Sequence, residues 1–139
     1  MCWWLGICAK KTMDNKILIV EDDESIMDVL KIILRKAGYE TTSFSNGKAV
    51  MLDDYEIPNL FLLDKQLSGI DGLDICRHLK ENNNTKNVPV IMISANPQIG
   101  TLAIEAGADD YIEKPFTIDF LLSTIKGHIQ RKETAMLDA

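Results

Sequence analysis

The sequence predicts a doubly wound α/β domain, with parallel strands covered by helices on both faces. Short continuous apolar runs, Ile17-Leu18-Ile19-Val20, Leu60-Phe61-Leu62-Leu63 and Val90-Ile91-Met92-Ile93, have the pattern of strands buried on both sides. Amphipathic stripes of helical period lie between them. Five strands and five helices alternate along one chain of 139 residues. That order gives parallel strands joined by right-handed crossover helices.

Each element has its own signal. Ile17 to Val20 is the first strand. Ile26, Val29, Leu30, Ile33, Leu34 and Ala37 then share one helical stripe, with Asp23 placed to cap its start and Gly38 to end it. Thr41 to Phe44 alternates and makes a weaker strand, followed by a brief helix from Gly47 to Leu52. After the Leu60–Leu63 strand, Asp71-Gly72 shapes a turn into a helix marked by Leu73, Cys76 and Leu79. Beyond Val90–Ile93, a short helix carries Ile99, Leu102, Ala103 and Ala106 and stops before Gly107. Tyr111 to Glu113 is the last strand. The final helix is capped by Thr117 and carries Ile118, Leu121, Leu122, Ile125 and Ile129. His78 and His128 read as solvent-facing, the second near a helix C-terminus where positive charge is favoured.

Composition bounds the function. Hydrophobic residues at 46 % and charged ones at 26 % describe a soluble globular domain, with room for one core and none for a second catalytic or DNA-binding module. The net charge of −6 argues against direct nucleic-acid binding, which favours a basic face. Cys2, Cys8 and Cys76, an odd number without C-x-x-C spacing, form neither a disulfide framework nor a zinc site and fit a reducing cytoplasm. No apolar run approaches the roughly 18 residues of a membrane span. The opening MCWWLGICAKKT is unlike the rest of the chain and makes a poor signal peptide. Met13 is an expected translation start; the alternative is a short hydrophobic arm. The expected organisation is an N-terminal extension over 1–14, one domain over 15–132 and a short tail over 133–139.

In doubly wound sheets the working crevice lies beyond the carboxyl ends of the strands, where strand order reverses. Here those ends deliver Glu21-Asp22-Asp23, Asp64, Ser94 and Lys114-Pro115 to one edge. Were strands one and three neighbours, Glu21, Asp22 and Asp64 would converge, which like charges resist unless a cation or protons intervene. An oxygen-only, partly hydrated acidic site suits Mg²⁺. Phosphoryl transfer needs donors around the equatorial oxygens of the moving group: the metal serves one, Ser94 a second, and Lys114 neutralises a third. Asp64 is then the nucleophile of an acyl phosphate. Singly, each residue has an ordinary explanation as cap, turn or surface charge. Their arrival at the strand ends of one fold carries the argument.

At this point the sequence closely resembles the receiver domain of two-component response regulators, through KILIVEDDESI, NLFLLDKQLSGIDGLDICRHLK, VPVIMISAN and GADDYIEKPF, from Lys16 to about Ile129. The resemblance implies a flavodoxin-like sheet of order 2-1-3-4-5. It implies Asp64 as phosphoacceptor, Asp22 as direct metal ligand, Glu21 assisting through water, and the Gln66 backbone carbonyl as a further ligand. Ser94 matches the hydroxyl that swings toward the phosphoryl group, Lys114 the family's lysine, and the Lys114-Pro115 bond is expected to be cis. Tyr111 occupies the aromatic switch position; the plainer reading is a half-buried aromatic filling a groove. Gln66 and Asn96 are expected to flank the approach of water. Two departures stand out: Ser68 replaces a frequent proline, and the Ser94–Lys114 spacing of 20 (114 − 94) is slightly short.

The expected function is a phosphorylation-dependent switch, fed by a sensor histidine kinase or a histidine phosphotransfer protein and read by a downstream effector protein. A phosphorylation-independent interaction module is the alternative. A hydrolase with an Asp nucleophile fits poorly, because the first strand ends E-D-D where such enzymes generally carry D-x-D.

Overall fold

A strand that is apolar on both sides is satisfied only between two layers of helices, and the chain builds that sandwich. A computed structural model describes residues 15–67 and 69–138, with 131–138 as backbone only. The extension over 1–14, the Met13 start and Ser68 lie outside the described residues. In order, the elements are β1 (Lys16–Val20), α1 (Glu24–Lys36), β2 (Glu40–Phe44), α2 (Lys48–Met51), β3 (Leu60–Asp64), α3 (Gly72–Glu81), β4 (Val90–Ser94), α4 (Ile99–Glu105), β5 (Asp110–Glu113) and α5 (Ile118–Asp138). The last helix therefore continues through most of the stretch read as a tail.

The sheet is parallel throughout, in the order β2-β1-β3-β4-β5. Strand order reverses between β1 and β3, which makes their carboxyl ends the switch point. Successive side chains of each strand face opposite layers. Leu18, Val20, Phe61, Leu63, Val90 and Met92 pack with residues of α2, α3 and α4, including Val50, Leu79 and Ala103. Ile17, Ile19, Leu60, Leu62, Ile91 and Ile93 pack with α1 and α5 through Leu30, Leu34, Leu121 and Ile125. All five residues of β3 and of β4 are buried, whereas the edge strand β2 is half exposed.

The expected helix signals act as read. Asp23 accepts the Ser25 and Ile26 N–H groups and Thr117 Oγ1 accepts that of Phe120, while Asp71, read only as shaping a turn, caps α3 by accepting that of Leu73. Gly38, at φ +98°, ends α1 in a conformation that side chains avoid.

Three expectations are corrected. The first-helix stripe is rotated: Met27 is buried, while Val29 is 55 % exposed and Ala37 is exposed, because the apolar arc is wider than the strip of sheet it covers. Leu102 and Ile118, read as inward, are also largely exposed. His128 is not solvent-facing. It lies 7 % exposed at helical spacing from Leu121 and Ile125, and its Nε2 meets Asp110 Oδ2 at 2.9 Å. His78 is half-buried, with its Nε2 2.8 Å from Asp53 Oδ1. Each ring places its Nε2 on a carboxylate from another segment of the chain.

Phe61 is fully buried at the centre of the sheet and meets Tyr55 edge-on, with ring centroids 5.9 Å apart. Phe61→Ala is expected to cost about 3–5 kcal/mol through lost transfer energy and a cavity. Urea unfolding checks this, and a cost under about 1 kcal/mol would contradict the packing described.

Candidate functional site

Register puts the acidic residues together. Val20 pairs with Leu63, so the next residues, Glu21 and Asp64, leave their strands side by side at the switch point. Asp22 comes next, before the cap of α1. Carboxylate oxygens of Glu21, Asp22 and Asp64 lie within 4.8 Å of one another; Glu21 and Asp64 are buried and Asp22 is exposed. From the other side, β4 pairs Ser94 with Glu113, and the Lys114 N–H donates to the Ser94 carbonyl at 2.9 Å. Lys114 reaches across β4 so that Nζ stands 3.3 Å from Asp64 Oδ2 and 3.6 Å from Glu21 Oε1. The Lys114-Pro115 bond is cis.

The remaining donors frame Asp64. Its Oδ1 accepts the Gln66 backbone N–H at 3.0 Å. Ser94 is buried, and its Oγ accepts the Asn96 N–H at 3.1 Å. The Tyr111 hydroxyl donates to the Asn96 carbonyl at 2.7 Å and reaches the Ser94 carbonyl at 3.3 Å. Tyr111 is thus both a groove-filling aromatic on the α3–α4 side of the core and a tie to the segment after Ser94.

Burial pushes the Glu21 carboxyl up to about 7, helped by its hydrogen bond to Asp64 and the like charge there. The Asp23 N–H and the Lys114 ammonium oppose the shift without cancelling it. Three clustered carboxylates facing one ammonium make a pocket that a divalent cation relieves. The candidate donors are all oxygens, and one of them, Asp22, is open to water, which suits Mg²⁺ better than a softer metal. Cys76 offers no rival nucleophile: burial raises its thiol to about 11, and Sγ faces the Ala106 carbonyl in the core.

The structure therefore brings together Glu21, Asp22, Asp64, Gln66, Ser94 and Lys114, with Tyr111 touching the Ser94 segment. It adds three residues that sequence reasoning left without a place in the site. Lys65 Nζ binds Asp71 Oδ2 at 3.0 Å across the loop after β3, and Gly72 packs against the Asp64 backbone. Opposite charges at either end of a short turn-forming stretch were the only linear signal.

The response regulator receiver domain model matches residues 17–126. The chain is 36 % identical over 125 residues to the DNA-binding response regulator MtrA of Mycolicibacterium smegmatis, covering 88 % of this chain and 54 % of that protein. It is 43 % identical over 121 residues to the transcriptional regulatory protein YxdJ of Bacillus subtilis, covering 84 % and 51 %. A solved structure, the receiver domain of sensor histidine kinase PA1611 from Pseudomonas aeruginosa PAO1 with a magnesium ion coordinated in its active site cleft, matches with a TM-score of 0.77. Identity there is 28 %, covering 84 % of this chain and 98 % of that one. The chain spans about half the length of the curated relatives it matches.

Proposed function

This chain belongs to the response regulator receiver-domain family, and from that premise we propose that it is a phosphorylation-dependent switch whose Asp64 accepts a phosphoryl group. The observation that supports this best is one constellation. A buried carboxylate at the end of β3 has an ammonium 3.3 Å away and two further carboxylates within 4.8 Å.

Glu21, Asp22, Asp64 and the Gln66 carbonyl would hold Mg²⁺, Asp22 directly and Glu21 through water. When bound, the ion supplies positive charge that offsets the acids and polarises a phosphoryl oxygen. Asp64 attacks phosphorus as its P–N bond to a donor phosphohistidine breaks, the electron pair leaving with the imidazole. Lys114 neutralises one equatorial oxygen and Ser94 Oγ–H donates to another. Ser94 Oγ accepts the Asn96 N–H and keeps its own O–H free to donate, and that segment carries the Tyr111 hydrogen bond. Phosphorylation adds close to two negative charges at a strand end. The surface of α4, β5 and α5 then shifts between two states, with Tyr111 moving after Ser94.

The donor in this reading is a sensor histidine kinase or a histidine phosphotransfer protein, and the reader a downstream effector protein. The chain turns over no substrate beyond its own phosphorylation and dephosphorylation. Its setting is the cytoplasm, which suits Cys76 as a buried free thiol. DNA binding belongs to the names of relatives about twice this length; the net charge of −6 favours protein partners here. Among the described residues no helix is long and apolar enough to cross a membrane.

Radiolabelled acetyl phosphate with Mg²⁺ tests the chemistry. Label is expected on Asp64 by peptide mapping, and chelation of the metal is expected to reduce it to background. An unlabelled protein in the presence of Mg²⁺ would refute the reading. Phosphotransfer profiling against purified kinases then identifies the donor.

A further inference from the structure

The loop between β3 and α3 carries Gln66, and its two ends are fastened to each other by a side-chain ion pair and a backbone hydrogen bond. Lys65 Nζ and Asp71 Oδ2 are 3.0 Å apart, and the Gly72 N–H donates to the Lys65 carbonyl at 3.2 Å. Asp71 holds the start of α3 as well, through Oδ1 and the Leu73 N–H at 2.8 Å. Gly72 is buried, and a Cβ there would stand 2.4 Å from the Asp64 carbonyl oxygen and 2.8 Å from Lys65 Cα. A bare glycine thus lets the helix start seat directly on the backbone of the phosphoacceptor. The same loop delivers the Gln66 N–H to Asp64 Oδ1 at 3.0 Å, so its seating decides where the Gln66 peptide stands.

We propose that Lys65, Asp71 and Gly72 form a clamp that positions the Gln66 backbone for metal binding at Asp64. The proposal rests on the reading of Asp64 as the acceptor in a Mg²⁺ site. These three are positioning residues: none of them supplies a ligand atom. The clamp makes an unusual electrostatic demand. Lys65 is a cation close to an acidic site, so by charge alone its loss tightens Mg²⁺ binding. By the clamp its loss weakens binding, because a loop held by the backbone bond alone has more freedom to lose when the metal arrives.

The test is calorimetric titration of the 139-residue chain with MgCl₂, without any phosphoryl donor. Lys65→Met is expected to weaken Mg²⁺ binding about three- to fivefold, the scale of one partly exposed ion pair. Lys65→Arg is expected to keep near wild-type affinity. Asp71→Asn, which still caps α3, is expected to weaken binding as Lys65→Met does. The double variant should be no weaker than either single one, since both remove one interaction. Thermal unfolding without Mg²⁺ monitors folding of each variant. Tighter or unchanged binding by Lys65→Met, or additive losses in the double variant, overturns the clamp alone. A wild-type chain that binds no Mg²⁺ overturns the clamp together with the functional reading beneath it.

Discussion

Asp64→Asn is expected to take up no label from acetyl phosphate or from a phosphohistidine donor, at any Mg²⁺ concentration. The carboxamide has nearly the volume of the carboxylate, so the 5 % exposed position remains filled. Its oxygen can still accept the Gln66 N–H. On that reading what disappears is the nucleophile, because a neutral amide oxygen is a much weaker nucleophile than a carboxylate oxygen and the amide nitrogen's lone pair is delocalised into the C=O. The substitution also takes one charge out of a crowded acidic cluster, so folding should survive, as circular dichroism would show. Label at wild-type stoichiometry in Asp64→Asn would place the acceptor on another residue.

Lys114→Met is expected to slow labelling by about 10²–10³-fold, the usual effect of removing one preorganised donor from developing negative charge. The methionine retains an unbranched apolar side chain, so the stem packing of a residue 23 % exposed is largely kept. Metal binding moves the other way. With the ammonium gone from 3.3 Å and 3.6 Å, the carboxylates lose their internal counter-charge, and Mg²⁺ should bind as well as before or more tightly. Labelling rate and metal affinity therefore part company in this variant. Parallel loss of both would mean that Lys114 organises the acidic pocket instead of serving the phosphoryl group.

Much of this site was legible because its residues sit at the ends of strands. Val20-Glu21, Leu63-Asp64, Ile93-Ser94 and Glu113-Lys114 each mark a change from one kind of residue to another at a strand end, and a parallel sheet brings such changes to one edge. Local caps were legible for a similar reason, since Asp23 and Thr117 act within a few residues of themselves. Less was visible where partners are distant. His128 satisfies its ring on Asp110, and nothing in the linear order ties those positions. It reads as solvent-facing in the sequence, although it stands at helical spacing from the buried Leu121 and Ile125. Val29 and Leu102 erred in the opposite sense, being apolar positions beyond the strip of helix that the sheet covers.

By itself the sequence determined the alternation of strands and helices, the membership of the acidic and basic groups in one edge, and the local stops and caps. Those arise from periodicity and from interactions spanning a few residues. Only the tertiary structure decided how close the groups come, which face of each helix is spent on the sheet, and that Lys65 turns to Asp71 and not to the acids. Such outcomes depend on packing between segments far apart in the chain, where an ångström of displacement separates an ion pair from two solvated charges.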